Sequence, residues 1–483
     1  VVDCARRMLT EAYGCVSKRQ GTDTPAQKID KPQISPIETN REQVSAFVAS
    51  VPKMPVAEVE PVFVDFSREI QTGKLTGGNE LITHRDINSR LFSLTFVIER
   101  GTKEDPALAI AEQYMPYLGT DSLSATELQS RLYALACDVS LSTGDGRTHL
   151  SISGLAENME EALRLAEKWI GTAQPDTNVY AQVVNDILKL RTDNKANQKS
   201  CFRALSLYGI YGPHNELTDA LDAEQMRQMG AEGVLDHLRS LSGYAQHVLY
   251  YGPLETNQVC RLVNKLHPMS QNPVAAHESQ FYTPQKVDQD QVILAPYQAK
   301  NTHMMGFSSR DEAFDLEVLP YVGIFNEYFG GGMNSIVFQE LRESRGLAYS
   351  AGASFSQASN DADRERFYTR IITQNDKVKD CLEVFDQIVE QMPISESAFS
   401  LARDAVLKRL ATERTLREDV LECYLRCRDR GLSEDPNRKV YEQVKTMKMD
   451  DLKAFHQREI ANRKYRLLLL GDEADWDMDI LQK

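Results

Sequence analysis

An internal repeat constrains the fold of this chain more than any other feature of its sequence. Short matches recur in the same order at a spacing that begins at 213 residues and ends at 219. An insertion of about six residues in the second copy explains the drift. The matched positions, first copy before second, are Gly119 and Gly332, Ser122 and Ser335, Glu127 and Glu340, Leu128 and Leu341, 187–189 and 406–408, Met229 and Met447, Val234 and Leu452, and 248–253 and 467–472. The chain therefore contains one structural unit twice.

Each copy has the same order of predicted elements. It opens with β-rich segments at 91–99 and 303–309, continues through two helices separated by a turn of small residues, and then alternates apolar and polar residues as strands do. Amphipathic helices that begin near residues 159 and 376 precede a last buried strand. We therefore predict an α+β fold of two homologous domains, at 62–272 and 285–483, each an antiparallel sheet covered by helices.

The first sixty residues have a different character. Residues 1–20 are interpreted as the end of a preceding helix, because no basic segment followed by an apolar one marks a signal peptide. Prolines at positions 25, 32, 36, 52, 55 and 61 then favour extended backbone. Residues 21–61 are predicted to form a linker or strap that lies on a surface, with a disordered tail as the alternative. We expect an N-terminal part to have been removed, or the chain to be one piece of a longer polypeptide.

The charge, the hydropathy and the cysteine content exclude several classes of partner and of structural site. The formal net charge is −15 and the basic residues are scattered, so nucleic acid is not expected as a partner. The apolar runs are too short to span a membrane. The eight cysteines are too widely spread for a disulfide framework or a structural zinc site, so buried free thiols are favoured and the redox compartment stays open.

One segment of the second copy carries groups suited to holding a peptide. In FQELRESRGLAYS (338–350), Arg342 and Arg345 are three residues apart on one predicted helix, and Tyr349 follows a break at Gly346. A guanidinium and a phenol can donate to peptide carbonyls or to a developing oxyanion. By itself the pattern is more typical of a surface Arg342 paired with a neighbouring glutamate and of a Tyr349 packed on a sheet.

This segment, preceded by GGGMNS, resembles the signature of the C-terminal, non-zinc domains of M16 zinc metallopeptidases, the pitrilysin and insulin-degrading-enzyme type. The resemblance covers roughly residues 62–475 and implies the fold shared by mitochondrial processing peptidase and LuxS-like metallohydrolases. It also implies that Arg342 and Tyr349 hold the substrate and help to stabilise the tetrahedral intermediate. At the 213-residue spacing, the first copy has Gln129 and Ala136 instead.

The first copy keeps the frame of the M16 zinc motif without its ligands. These peptidases carry HxxEH on a helix before a Gly-Thr turn, where two histidines face the metal and the glutamate activates water. In AIAEQYMPYLGT (109–120), the aligned residues are Ile110, Gln113 and Tyr114, which cannot replace them. This chain is therefore predicted to bind no zinc, and the metal is expected in a partner half.

Two further patterns have simpler interpretations. The glycine run that ends at Gly332 lacks the GK[ST] of a phosphate loop, so we expect it to supply positive φ angles for a tight turn. The resemblance implies that a substrate strand passes close by, in contact with Gly331, Gly332 and Arg345. His456 and Glu459 form a partial HxxE, which is expected on a solvent-facing helix.

Together these predictions describe the C-terminal half of an M16 metalloendopeptidase. It would close the degradation chamber over unfolded peptides, with zinc held by an N-terminal half in the same polypeptide or in a separate subunit, and it would be inactive alone. The alternative is a catalytically inactive M16-like scaffold or binding subunit, which the retained Arg342 and Tyr349 disfavour. A third hypothesis is an unrelated α+β binding module, which requires both the repeat and the motif to have arisen by chance. The compartment is unknown, and analogy with bacterial relatives favours a periplasmic or exported protein.

Overall fold

The computed structural model describes residues 2–9, 14–17, 45–55, 57, 59–276, 281–360 and 363–476. The chain divides into two compact units, Val1–Glu58 and Val59–Lys483, and both predicted domains lie in the second unit.

The first unit contains helices α1 (Val2–Met8) and α2 (Ala46–Ser50). Helix α1 covers part of the helix end predicted at 1–20. The expectation of an extended strap is wrong at α2, because no proline interrupts the chain between positions 36 and 52. Most of the predicted strap, including 18–44, lies outside the described residues.

The first repeat, residues 62–272, consists of strands and helices, and several of the helices begin at side-chain caps. For example, Asp176 accepts hydrogen bonds from two backbone N–H groups in the first turn of the helix that follows it. In chain order the elements are α3 (Phe66–Glu69), β1 (Gln71–Lys74), β2 (Glu80–Arg85), β3 (Leu91–Ile98), α4 (Leu108–Tyr114), α5 (Ala125–Ala134), β4 (Cys137–Thr143), β5 (Thr148–Leu155), α6 (Met159–Thr172), α7 (Thr177–Lys195), α8 (Gln198–Tyr211), α9 (Ala223–Ser240), β6 (Gln246–Gly252) and α10 (Thr256–Leu266).

The second repeat, residues 285–483, has a closely similar order. Its elements are β7 (Gln291–Pro296), β8 (Asn301–Arg310), α11 (Leu319–Phe325), α12 (Ile336–Phe338), β9 (Ala348–Ser356), β10 (Glu365–Gln374), α13 (Val378–Glu390), α14 (Glu396–Thr412), α15 (Asp419–Asp429), α16 (Asn437–Thr446), α17 (Met449–Glu459) and β11 (Arg466–Gly471). Two π-helical turns, Asn326–Gly330 after α11 and Gln339–Ser344 after α12, have no equivalent in the helices of the first repeat.

The strands of the described residues form one sheet in each repeat. The strand order is β1-β2-β6-β3-β5-β4 in the first sheet and β7-β11-β8-β10-β9 in the second. Apart from the additional edge strand β1, the two orders are the same when strands are matched by their place in the repeat. The predicted α+β fold with two helix-covered sheets is confirmed.

The prediction that both sheets are purely antiparallel is wrong for one strand pair in each. β2 pairs with β6 in parallel, and β7 pairs with β11 in parallel. In each repeat the last strand returns beside the first after several intervening helices, and a parallel pair needs such a long crossover. Alternation within a strand reports which face is buried, and it carries no information about strand direction.

One helix of each repeat packs on the sheet of the other repeat. The first sheet packs its own helices on one face, and on the opposite face it receives Leu421 and Leu425 of α15, which contact Leu249. The second sheet receives Phe202 of α8, which packs with Leu468. Full burial of one such side chain stabilises the fold by about 2 kcal/mol, so this exchange joins the repeats through apolar contacts.

The cysteines only partly match their predicted burial. All eight are free thiols; Cys381, Cys423 and Cys427 are buried, whereas Cys4 and Cys15 are exposed and the remaining three are partly buried. The exposed pair belongs to the first unit, so the prediction of buried thiols is wrong there.

Within the described part of the chain, none of the helices combines the length and the apolar character that a bilayer span requires.

Candidate functional site

The segment that carries Arg342 is shaped by irregular backbone. Helix α12 begins after Ser335, whose hydroxyl accepts a hydrogen bond from a backbone N–H of its first turn. The π-helical turn Gln339–Ser344 then widens the helix around Arg342, and the chain leaves it at Gly346 with a φ of +57°. Strand β9 follows at the edge of the second sheet. Because π-helical turns are frequent at functional positions, this backbone marks the segment as a candidate site.

Arg342 and Tyr349 lie together on the surface. The Arg342 guanidinium carbon is 4.9 Å from the centre of the Phe338 ring and 5.9 Å from the centre of the Tyr349 ring. The Arg342 side chain is 45% exposed and Tyr349 is 76% exposed. Aromatic faces attract a guanidinium, so the two rings orient it without consuming its N–H donors. Phe338 was not among the predicted site residues, although its spacing of four from Arg342 on one helix would have indicated it.

The donors of this pair are available to a ligand. The nearest acidic atom to Arg342 is Glu343 Oε1, 3.8 Å from Nε, which is a weak surface ion pair. Among the described residues, neither the Arg342 guanidinium nor the Tyr349 hydroxyl forms a hydrogen bond. The alternative in which Tyr349 packs on a sheet does not match its exposure.

Tyr349 is the additional residue of a β-bulge. Along β10, Thr373 pairs with Ala348 and the adjacent Ile372 pairs with Ser350, so the ladder passes over Tyr349. Bulges bend an edge strand and redirect a side chain, and they are over-represented next to active sites. The bulge therefore accounts for the outward position of a tyrosine that neighbours a buried strand residue.

The first repeat has no counterpart of this bulge. Its edge strand β4 pairs with β5 without interruption, and Cys137 lies opposite Gly154 as Ala348 lies opposite Thr373. Short 3₁₀ turns directly after β5 and β10 align these positions. The prediction that Ala136 corresponds to the site tyrosine is therefore wrong, because the tyrosine is an inserted residue. A constant spacing in sequence cannot detect an insertion inside the segment that it is used to align.

Arg345 has a partner within the segment. Its Nη2 and Nε donate to Glu340 Oε2 at 3.2 and 3.4 Å. The Arg345 side chain is 46% exposed, so the pair lies at the surface and is weak. Substrate binding by Arg345 therefore requires exchange of this ion pair, whereas Arg342 needs no such exchange.

The glycine run allows close packing at two positions, because a Cβ on Gly331 would also lie 2.7 Å from the carbonyl oxygen of Asn326. None of its three residues has a positive φ, and Gly331 has a φ of −91°, so the prediction of a positive-φ turn is wrong. A Cβ on Gly330 would lie 2.2 Å from the carbonyl oxygen of Ala353 in β9, which makes glycine necessary there. At Gly332 the nearest atom to a Cβ would be Glu327 Oε1 at 3.7 Å, an ordinary contact. Gly330 thus lies against the edge strand that carries the site, whereas the nearest atoms to Gly331 and Gly332 belong to Asn326 and Glu327.

The positions of the zinc motif belong to the core of the first repeat. Ile110 and Tyr114 on α4 are 4% and 0% exposed, while Gln113 is exposed and donates to the carbonyl of Ala109 at 3.2 Å. The Tyr114 hydroxyl accepts a hydrogen bond from Asp176 N (2.7 Å) and donates to Asp176 O (2.9 Å). Burial raises the pKa of Tyr114 above its usual value.

A buried tyrosine forms a similar hydrogen-bonded bridge to the backbone in the second repeat. The Tyr328 hydroxyl accepts from Ser395 N (3.0 Å) and donates to Pro393 O (2.8 Å). Ser395 begins α14 as Asp176 begins α7, so in each repeat a buried tyrosine anchors the start of an equivalent helix. In both repeats this position therefore supports the fold.

These residues do not fit a zinc ion. An aliphatic side chain, an amide and a phenol already bonded to backbone offer none of the ligands that zinc takes in proteins. In the part of the chain that the structure describes, no three His, Cys, Asp or Glu side chains are close enough together to hold a metal.

His456 of the partial HxxE is buried, so the prediction of a solvent-facing position is wrong. It is 1% exposed and lies against Phe325 and Phe329, with ring centres 6.5 and 6.3 Å away. Desolvation lowers the pKa of His456, which favours the neutral ring. The apolar spacing of α17 places His456 on its core face, a placement that the HxxE pattern does not report.

Comparison with known proteins supports the M16 resemblance. Residues 246–405 match the family described as the peptidase M16 inactive domain. A comparison with curated protein sequences finds no match.

Solved structures share the fold at low sequence identity. A peptidase M16 inactive domain from Pseudomonas fluorescens is 16% identical, with a TM-score of 0.67 over 83% of this chain and 98% of that one. The periplasmic protease PqqL from Escherichia coli is 15% identical, with a TM-score of 0.67 over 94% of this chain and 49% of PqqL. The ferredoxin protease FusC, solved in complex with Arabidopsis ferredoxin, is 10% identical, with a TM-score of 0.69 over 91% of this chain and 49% of FusC.

The chain therefore spans about half the length of these two proteases. Its match to the inactive-domain family includes the π-helical turns, the bulge and the exposed Arg342 and Tyr349. The family match and the shared fold confirm the predicted resemblance: this chain is built like the C-terminal, inactive half of an M16 peptidase.

Proposed function

We propose that this chain is the substrate-holding half of an M16 metalloendopeptidase. The single observation that carries the proposal is the exposed pair of Arg342 and Tyr349, in which Arg342 lies against the Phe338 ring and Tyr349 is the additional residue of a bulge. Two π-helical turns and a bulge occur together around this pair, and such irregularities are frequent next to functional sites.

In this proposal the zinc-bearing half supplies the metal, and this chain holds the substrate. A zinc-bearing half, in the same polypeptide or in a separate subunit, would supply the metal that activates the attacking water. In this chain, the Arg342 guanidinium would donate to a peptide carbonyl and position an unfolded peptide along the edge of β9. The Tyr349 hydroxyl would donate to the oxygen on which negative charge develops. A periplasmic or exported location is part of this proposal by analogy alone.

The test is peptide cleavage by the chain alone and after mixing with the zinc-bearing half. We expect no cleavage by the chain alone and cleavage of a fluorogenic, unstructured peptide by the assembled protein. Tyr349→Phe keeps the ring beside Arg342 and removes only the hydroxyl, so kcat should fall by about 100-fold while KM changes little. Tyr133→Phe, at an exposed tyrosine of α5 in the first repeat, is the control and should leave kcat unchanged.

Two outcomes would contradict the proposal. Cleavage by this chain alone, with stoichiometric zinc, would show that the catalytic site lies in this half and not in the zinc-bearing partner. An assembled protein that binds the peptide without cleaving it would support the alternative of an inactive binding subunit.

A further inference from the structure

A cavity of about 390 Å³ lies in the seam where the sheet of the first repeat meets helices of the second. Three parts of the chain line it: the segment that enters the first repeat, the ends of β2 and β6 with the neighbouring α3, and the loop between α14 and α15. Its charged and aromatic lining includes Glu69, His84, Asp86, Tyr251, Arg414 and Arg417. A cavity of this size with a few convergent polar groups is a candidate small-molecule site.

The equivalent seam, between the second sheet and the helices of the first repeat, is closed. Asp86 follows β2 as Tyr297 follows β7, and each of these strands pairs in parallel with the last strand of its repeat. The Tyr297 hydroxyl donates to the carbonyl of Ala196 at 2.7 Å and so bridges to the turn 196–197 between α7 and α8. The corresponding loop between α14 and α15, residues 413–418, is longer, and no hydrogen bond among the described residues joins it to Asp86. A longer loop and a shorter side chain thus open one seam and not the other.

The longer loop brings two guanidinium groups to the cavity. Backbone carbonyls hold the first of them, since Arg414 donates to Ala411 O, Glu413 O and Glu60 O at 2.7, 2.8 and 3.1 Å. Arg417 forms no hydrogen bond or ion pair within the described part of the chain, and its φ is +56°. This backbone region is uncommon for a residue with a long side chain, and such strained residues cluster at ligand sites. The loop therefore presents two positive charges that pair with no carboxylate of the described residues.

The wall formed by the strand ends carries a carboxylate without a cation. Asp86 accepts hydrogen bonds from Asn88 N at 2.9 Å and from the Tyr251 hydroxyl at 3.0 Å, and it forms no ion pair among the described residues. The hydrogen bond from Asn88 lowers the pKa of Asp86, so its carboxylate is ionised at neutral pH. Tyr251 is 4% exposed, and the charge of Arg417 also acts on its hydroxyl. Tyr251 thus interacts with charges of both signs in one cavity.

Aliphatic side chains complete the lining. Val62 on the entering segment and Leu416 on the loop are each 61% exposed, although both line the cavity. The entering segment is fixed to the second repeat, because Val64 N donates to Asp435 Oδ2 at 3.2 Å. A ligand with an apolar side chain would remove both aliphatic groups from water.

We propose that this cavity binds a small zwitterion of the amino-acid or short-peptide class. Its carboxylate would lie against Arg414 and Arg417, and its ammonium would lie against Asp86. Its apolar side chain would pack between Val62 and Leu416. A ligand with a single charge would complement only one of the two walls. This inference goes beyond the proposed peptidase function and does not depend on it, because the cavity shares no residue with the candidate site and needs no zinc-bearing half.

The test is isothermal titration calorimetry of the full chain with leucine, alanyl-leucine and alanyl-leucyl-alanine. We expect a Kd of about 0.1–1 mM for at least one of them, and the tightest of the three will report the separation of charges that the cavity accepts. The same ligand with its amine acetylated, or with its carboxylate amidated, should bind at least about tenfold more weakly, because each change removes one of the two charges.

Two substitutions test the two walls separately. Arg417→Gly removes a guanidinium and suits the positive φ, so the fold should be retained while the Kd rises by about fivefold to tenfold. Asp86→Asn keeps an oxygen that accepts from Tyr251 but removes the charge, and it should raise the Kd by about fivefold. Amidation of the ligand should weaken binding less in Arg417→Gly than in the parent chain, since both changes remove the same interaction.

Arg261→Gln is the control, because Arg261 is an exposed residue of α10 outside the cavity, and it should leave the Kd unchanged. The unfolding midpoints of all variants should match that of the parent chain. Binding of none of the three ligands would overturn the proposal, and this would also be the result if a segment of the chain itself filled the cavity. Blocked ligands that bind as tightly as free ones, or a Kd unaffected by Arg417→Gly and Asp86→Asn, would overturn it as well.

Discussion

The two repeats share one architecture, but only the second carries the candidate site. The clearest structural contrast between them lies in residues 108–143 and 319–356. In both, a helix that buries a bridging tyrosine leads through a turn to a second helix and an edge strand. The described residues of the first repeat follow this path without a π-helical turn or a bulge, although Ala136 has a φ of +49°. The second adds two π-helical turns and a bulge, and at these additions Arg342 and Tyr349 become exposed.

This difference shows how a duplicated fold acquires a site without changing its core. The tyrosines that anchor α7 and α14 are buried and make the same bonds, so the parts that carry stability are alike. The bulge lies in the edge strand β9, where an additional residue displaces no core side chain, whereas the π-helical turn Asn326–Gly330 carries the buried Tyr328 and Phe329. Ile110 and Tyr114 of the metal motif are part of the core of the first repeat, and the candidate site lies at the edge of the second sheet.

The largest expected effect comes from forcing the first repeat toward a metal site. Restoring the motif by Ile110→His, Gln113→Glu and Tyr114→His should destabilise the chain by about 3–5 kcal/mol or more, because it buries imidazole and removes the bridge to Asp176. Urea denaturation measures this loss. Gln113 is exposed, so the single substitution Gln113→Glu should change the free energy of unfolding by less than about 0.5 kcal/mol. A stable triple variant that takes up one zinc per chain would show that the core position still accepts metal.

A smaller effect should separate two neighbouring glycines at the edge of the second sheet. Gly330→Ala should destabilise the chain by about 2–3 kcal/mol, since its Cβ would meet the backbone of Ala353. Gly332→Ala has space for its Cβ and should change the free energy of unfolding by less than about 0.5 kcal/mol. Thermal or urea unfolding checks both, and equal losses would mean that β9 does not approach the turn as closely as described.

The smallest effect tests the feature that the repeats share. Tyr114→Phe and Tyr328→Phe each remove a hydroxyl that bridges a backbone N–H and a backbone carbonyl, so each should cost about 1–2 kcal/mol. The two losses should agree within experimental error and add in the double variant, because the sites lie in separate cores. A large loss in only one repeat would break the equivalence.

Much of the architecture could be predicted from local pattern. The repeat, the helix-covered sheets and the lack of zinc ligands follow from residue types and spacing. The proximity of Arg342 and Tyr349 agrees with the motif in which they occur. The sequence arguments were wrong about strand direction, about the burial of His456 and about the counterpart of Tyr349. Each of these depends on which distant segments pair, and spacing along one segment carries no such information.

The sequence by itself determined that this chain is a duplicated α+β protein with a metal-motif frame that lacks its ligands. Periodicity and residue chemistry are local properties, and they were sufficient for that conclusion. Only the tertiary structure decided that Tyr349 is a bulge residue and that α8 and α15 each pack on the sheet of the other repeat. These features arise from the register between strands and from the packing of one repeat on the other, and such long-range contacts form only when the whole chain folds.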